Sequence, residues 1–135
     1  MDLHFSSWQE FEKFVKDVME KFGYEVDFRK VFFSNGRRYE MDVVGYGKDF
    51  VLCIDCKLYG AGRHRISQLR REARKHYERV KEFEKIEGKI SIPIIVTFWE
   101  EPLITEEGCM FVPITKINDF LRNVYFYLEE FGFMR

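Results

Sequence analysis

Residues 24–58 interleave aromatic and β-branched side chains with polar ones and are broken twice by glycine turns. Three extended segments result: Tyr24–Phe33, Arg37–Tyr46 and Phe50–Leu58. Ser34-Asn35-Gly36 separates the first two, and Asn-Gly is a favoured pair for a two-residue hairpin turn. Gly47-Lys48-Asp49 separates the second from the third. An antiparallel meander is therefore expected, which excludes a purely helical fold. A sheet also needs something apolar laid across its faces.

The flanks supply it. Ser7-Trp8-Gln9-Glu10 reads as a capping box, followed by Phe11, Phe14, Val15, Val18, Met19 and Phe22 at helical spacing, with Gly23 as the stop. After Tyr59-Gly60-Ala61-Gly62 a long helix is expected over 66–86, its buried stripe being Ile66, Leu69, Ala73, Tyr77, Val80 and Phe83. Ile90–Trp99 is nearly continuously apolar, as in a strand covered on both faces. A loop over 100–108 leads to a short strand, Cys109–Ile114. Thr115 is then expected to cap a last helix with stripe Ile117, Phe120, Leu121, Val124, Leu128 and Phe131. The order α-β-β-β-α-β-β-α implies an α/β fold with a mixed sheet between helices, and a right-handed parallel crossover through the long helix.

The 135 residues suit one domain, 1–135. No apolar run approaches a membrane span, and Met1-Asp2-Leu3-His4 lacks the order of a secretory signal, so a cytoplasmic address is expected. Few amides beside many Glu, Lys and Arg is a thermophile-like composition. Cys53, Cys56 and Cys109 form no disulfide framework. Cys53 and Cys56 should point to opposite strand faces, with no second ligand pair, so buried free thiols are expected rather than a zinc or redox site. Net charge is −1, yet residues 57–81 hold nine of the 22 Lys and Arg against two of the 23 acids. Such a block is either a solvated helix face or a site for a polyanion.

Strand alternation places Glu40, Asp42 and Val44 on one face of the second strand, and Cys53, Asp55 and Lys57 on one face of the third. If those faces coincide, two carboxylates and an ammonium converge in an apolar hairpin. Charge in such a place is costly unless paired or metal-bound. Hard oxygen ligands suit Mg²⁺ (or Mn²⁺), which keeps several waters. Together with Lys57 to orient water or stabilise a phosphoryl group, the set fits phosphodiester hydrolysis. A structural salt bridge remains the other reading.

Met41-Asp42 followed by Asp55-Cys56-Lys57, with Glu12 on an upstream helix, resembles the PD-(D/E)XK nuclease superfamily of restriction-endonuclease-like fold. The likeness is closest to archaeal Holliday-junction resolvases and Mrr-type restriction endonucleases, and extends from Phe11 to about Val112. As in the resolvases, Glu12 precedes a Gly-aromatic pair, Gly23-Tyr24, and Asp42 is followed by two apolar residues, Val43-Val44. Met41 stands at the nominal proline position. The resemblance implies Asp42, Asp55 and the main-chain carbonyl of Cys56 as metal ligands, Lys57 as catalytic lysine, and Glu12 as an outer metal or water ligand. Glu10 is a rival to Glu12 but fits the capping box. The resemblance further implies a homodimer cutting branched or duplex DNA. A module that keeps the fold but only binds DNA is the reading from another class.

Arg63, His64 and Arg65, shortly after Lys57, are placed to hold phosphates. Arg70 and Arg74 either join them or pair along the helix, as Arg74 with Glu78. Arg37 and Arg38 at the hairpin tip are further DNA-contact candidates. His4 and His76 have no evident partner in sequence, and Gln68 falls where some relatives carry a helix glutamine near the site. Tyr125, Phe126 and Tyr127 exceed one buried stripe; they either form a dimer face or mark a helix packed on two sides.

Overall fold

The computed structural model describes residues 4–58, 65–100 and 104–134. The elements are α1 (Trp8–Lys21), β1 (Glu25–Ser34), β2 (Arg37–Tyr46), β3 (Val51–Lys57), α2 (Arg65–Glu87), β4 (Ser91–Thr97), β5 (Thr105–Glu106), β6 (Cys109–Pro113), α3 (Ile117–Arg122) and α4 (Val124–Glu130). Six strands form one sheet in the order β1-β2-β3-β4-β6-β5. β1, β2 and β3 are antiparallel neighbours, as the turns require. β3 and β4 run parallel through the α2 crossover, and β4 pairs parallel with β6.

Local chemistry sets the boundaries. The Ser7 hydroxyl accepts from the Glu10 N–H at 3.1 Å, while the Glu10 carboxylate accepts from the Ser6 N–H at 2.8 Å, one residue before the position a capping box would use. Asn35 and Gly36 take φ of 52° and 77°, the two left-handed positions of a type I′ hairpin turn. α1, α3 and α4 cover one face of the sheet, where Phe11, Val15 and Val18 meet Val43, Leu52, Ile54 and Cys56. α2 covers the other, with Val80 and Phe83 on Met41, Val44, Val51 and Cys53, and Leu69 and Ala73 on Ile95 and Phe111. β4 is buried along its whole length, as its apolar run requires.

Four expectations change. The loop over 100–108 contains β5, which pairs antiparallel with β6. Thr115 caps no helix: it lies inside a 3₁₀ turn, Ile114–Lys116. The last helix is in fact two: the chain leaves helical geometry at Asn123 (φ −116°, ψ 33°), whose backbone N–H and side-chain amide both donate to Asp119. Finally, the buried stripe of α2 contains His76, fully buried, rather than Tyr77, which is 36% exposed.

Among the described residues no helix is long and apolar enough to cross a membrane. The three cysteines are free and buried, Cys53 and Cys56 on opposite faces.

Candidate active site

β2 and β3 pair through Val43–Ile54 and Val44–Cys53. One residue further the ladder gives way to a side chain: Asp42 Oδ2 accepts from the Cys56 N–H at 2.8 Å. The strands part here, and the carboxylate fills the gap. Strict alternation fails at the same point. Met41 and Tyr39 pack with Val44 beneath α2, whereas Val43 packs on the α1 side. Glu40, Asp42 and Val44 therefore do not share one face as expected. Opposite Asp42 in β1, Arg29 adopts φ 57°, a left-handed conformation that costs a non-glycine residue about 1 kcal/mol. The kink in both strands turns Asp42 into the gap.

β3 keeps its alternation. Asp55 and Lys57 lie on the α2 side, with the Lys57 Nζ 3.0 Å from Asp55 Oδ2 and 3.3 Å from Glu72 Oε2. Glu12 approaches from α1, 3.1 Å from the Arg29 guanidinium. Glu12 and Asp55 are both buried, 3% and 4% exposed. Their oxygens Glu12 Oε1 and Asp55 Oδ2 stand at ion-pair distance from a cation yet make no aligned hydrogen bond. Glu10 is exposed and tied to Ser6, so Glu12 is the acid at the site.

The electrostatics record the convergence. Burial, then the charge of Asp55 and a hydrogen bond to it, push the Asp42 carboxyl up to about 8. Burial also acts on Asp55, but His76, the Lys57 ammonium and the bond from Asp42 hold it below the ordinary range. The pair therefore shares one proton, carried by Asp42. Burial raises Glu12, which Arg29 partly offsets and Asp55 and Glu40 reinforce. Two carboxylates forced to share a proton, with two buried oxygens lacking hydrogen bonds, are chemically suited to a hard cation. Asp42, Asp55 and the Cys56 carbonyl would hold it, with Glu12 reached through water. Among the described residues no group of three or more His, Cys, Asp or Glu side chains is placed to hold a metal ion by itself. A Mg²⁺-type site built from two carboxylates, a carbonyl and waters needs none. A cleft of about 290 Å³, lined by Trp8, Cys56, Lys57 and Leu58, lies beside the site and reaches Lys57, while Asp42, Asp55 and Glu12 are not part of its lining.

Sequence reasoning missed four residues here. His76 is buried against the site, its Nε2 at 2.9 Å from the Cys53 carbonyl and its Nδ1 3.5 Å from Arg79. An arginine can only donate, so Nδ1 accepts and Nε2–H donates to Cys53. Burial lowers the imidazole to about 4, so it is neutral at ordinary pH. Glu72 was legible as an acid one turn from Leu69 and His76 on the buried side of α2. The conformation of Arg29 carries no sequence signal.

The basic candidates divide. Arg63 and His64 lie outside the described residues, and Arg65 opens α2 with its side chain likewise undescribed. Arg70 is 3.1 Å from Glu106, and Arg74 is 3.0 Å from Glu107 rather than paired to Glu78. Both are thus engaged in clamping the β5 hairpin to α2. Arg38 stands 3.8 Å from Glu40, and the Arg37 guanidinium lies over the Tyr39 ring at 5.0 Å.

No protein-family model matches the chain. An uncharacterized protein of Archaeoglobus fulgidus is 46% identical over 127 residues, covering 94% of this chain and 98% of its own. The chain belongs to that protein's family. Among solved structures, AF1548, a protein of unknown function, superposes over 90% of this chain with TM-score 0.58 at 21% identity. VC1899 from Vibrio cholerae does so over 90% with TM-score 0.54 at 13% identity. The chain spans 65% and 34% of those two. The small subunit of the heterodimeric restriction endonuclease R.BspD6I covers 90% of this chain with TM-score 0.52 at 18% identity, the chain spanning 69% of it. At such identities the likeness establishes the fold, which is restriction-endonuclease-like: a mixed sheet between helices.

Proposed function

We propose that this protein is a metal-dependent endonuclease of the PD-(D/E)XK superfamily that hydrolyses phosphodiester bonds of branched or duplex DNA. The observation that carries the reading is the splay of β2 from β3, which sets Asp42 against the Cys56 N–H beside the Asp55–Lys57 pair, with Lys57 also lining a cleft. Asp42, Asp55 and the Cys56 carbonyl would hold Mg²⁺ or Mn²⁺. The ion, when bound, supplies a water of lowered pKa and neutralises charge on a phosphate oxygen.

The chain's own groups do the rest. Hydrolysis joins a water oxygen to phosphorus, breaks the bond to one sugar oxygen, and moves a proton from the water to that leaving oxygen. Asp42 and Asp55 fix where the negative charges sit, and their apolar surroundings keep those charges effective. Lys57, held between Asp55 and Glu72, presents an ammonium at the cleft wall, where it can stabilise charge growing on the phosphoryl oxygens. His76 and Arg79 brace β3 from behind through the Cys53 carbonyl. One chain carries one such set, so cutting both strands calls for a homodimer.

Cleavage of a labelled four-way junction, a duplex and a single strand, with Mg²⁺ and with chelator, tests the proposal. Metal-dependent cutting that disappears in Asp55→Ala and Lys57→Ala is expected. Binding without cutting under every metal condition would leave a DNA-binding module instead, and cutting that persists in the variants would locate the activity elsewhere.

A further inference from the structure

Beside the site, the β1–β2 hairpin and α2 enclose a groove of about 360 Å³. Arg37, Lys75, Arg79 and Lys81 contribute cations to its lining, and Tyr39 and Tyr77 contribute aromatic rings. Two acids, Glu78 and Glu82, also line it. Glu82 is already engaged, accepting from the Ser34 hydroxyl at 3.0 Å and pairing with Lys85 at 3.3 Å. The groove is therefore net positive, although the chain as a whole is not.

Arg37, Arg79 and Lys81 are held rather than loose. Arg37 lies over Tyr39, whose ring stacks on Phe32 at 5.1 Å, and the Lys81 ammonium lies 5.3 Å from the Tyr77 ring centre. Lys81 also has Glu84 at 3.5 Å. Fixed cations along a walled groove suit a ligand bearing anions at regular intervals.

The groove lies near the candidate active site. Tyr39 is three residues from Asp42 along β2, about 10 Å at strand rise. Arg79 lines the groove, contacts His76, and its charge is felt at Asp55.

We infer that this groove is a binding track for the sugar–phosphate backbone of the nucleic-acid strand being cut, with Arg37, Lys75 and Lys81 contacting its phosphates. The inference rests on the nuclease reading and specifies where its substrate lies. None of the three cations belongs to the hydrolytic set.

The test is the anisotropy of a labelled DNA duplex in chelator, so that nothing is cut, over a salt series. Wild type is compared with Arg37→Ala/Lys75→Ala/Lys81→Ala. Each lost phosphate contact should lower the slope of log affinity against log salt by about 0.9, so a fall of about 2–3 is expected, with affinity at least tenfold weaker at moderate salt. Glu78→Gln, which removes an acid from the same wall, should tighten binding about twofold to fivefold. A control with equal charge loss away from the groove, Lys13→Ala/Lys48→Ala/Arg122→Ala, should keep the wild-type slope. Wild-type binding with an unchanged slope in the groove variant, or equal effects from the control, overturns the track while leaving the nuclease reading intact. Wild type that neither binds nor cuts DNA overturns both.

Discussion

Asp42→Asn should make the metal-free protein more stable while removing its activity. Asparagine is nearly isosteric. Its carbonyl can still accept from the Cys56 N–H, and its amide can donate to Asp55 as the protonated Asp42 does. What changes is the proton. The folded protein holds the Asp42 proton up to about 8, against an ordinary 3.8. Stability is therefore fullest below 3.8 and falls as pH rises toward 8, because the unfolded chain gives up a proton the folded one must keep. At pH 7 the gap is about 3 units, or roughly 4 kcal/mol at about 1.4 kcal/mol per unit. Asp55, held below its ordinary range, opposes this, so the roughly 4 kcal/mol is the upper bound of what the amide would release. At about 3–5 °C per kcal/mol for a domain of this length, the Tm in chelator should rise by several degrees. Adding Mg²⁺ should raise the Tm of wild type by mass action and leave Asp42→Asn nearly unmoved, closing the gap. Calorimetry or fluorescence melting with and without metal measures both. A variant less stable than wild type in chelator, or one that responds equally to Mg²⁺, would refute the reasoning.

His76 is neutral in the fold, with a pKa near 4 against an ordinary 6.5. Its contribution is intact above 6.5 and lost as pH falls through 6.5 toward 4, about 3 kcal/mol over the window. Urea midpoints across that range should fall more steeply for wild type than for His76→Gln, and parallel curves would contradict the assignment. Glu72→Gln removes one of the two carboxylates holding Lys57 and should lower kcat about tenfold with KM little changed. A change confined to KM would place Glu72 in binding instead. Arg70→Ala with Arg74→Ala releases the clamp on Glu106 and Glu107, so amide exchange in β5 and β6 should quicken while that of β3 and β4 stays slow. Uniform exchange rates across the sheet would show that the clamp is not local.

The meander, the α1 cap, the α2 crossover and the buried β4 were all written in local patterns: turn glycines, alternation and helical spacing. So was the pairing of Asp55 with Lys57, because β3 keeps its alternation. The slip at Asp42 was not, since it depends on Arg29 in a neighbouring strand entering left-handed space. The split of the last helix was hidden because Asn123 falls between apolar residues that fit one continuous stripe. Tyr77 displaced His76 in the expected stripe for a related reason. Spacing admits either residue, and only the carbonyl of Cys53, contributed by β3, selects the imidazole.

Diffraction from crystals grown with Mn²⁺ and without DNA, recorded for anomalous signal, tests the carboxylate pair most directly. A single strong peak bridging the side chains of residues 42 and 55 and the peptide oxygen of residue 56, absent from Asp42→Asn crystals, is the expected result. A peak elsewhere, or none at saturating manganese, would show that the paired acids are a buried structural contact and hold no ion.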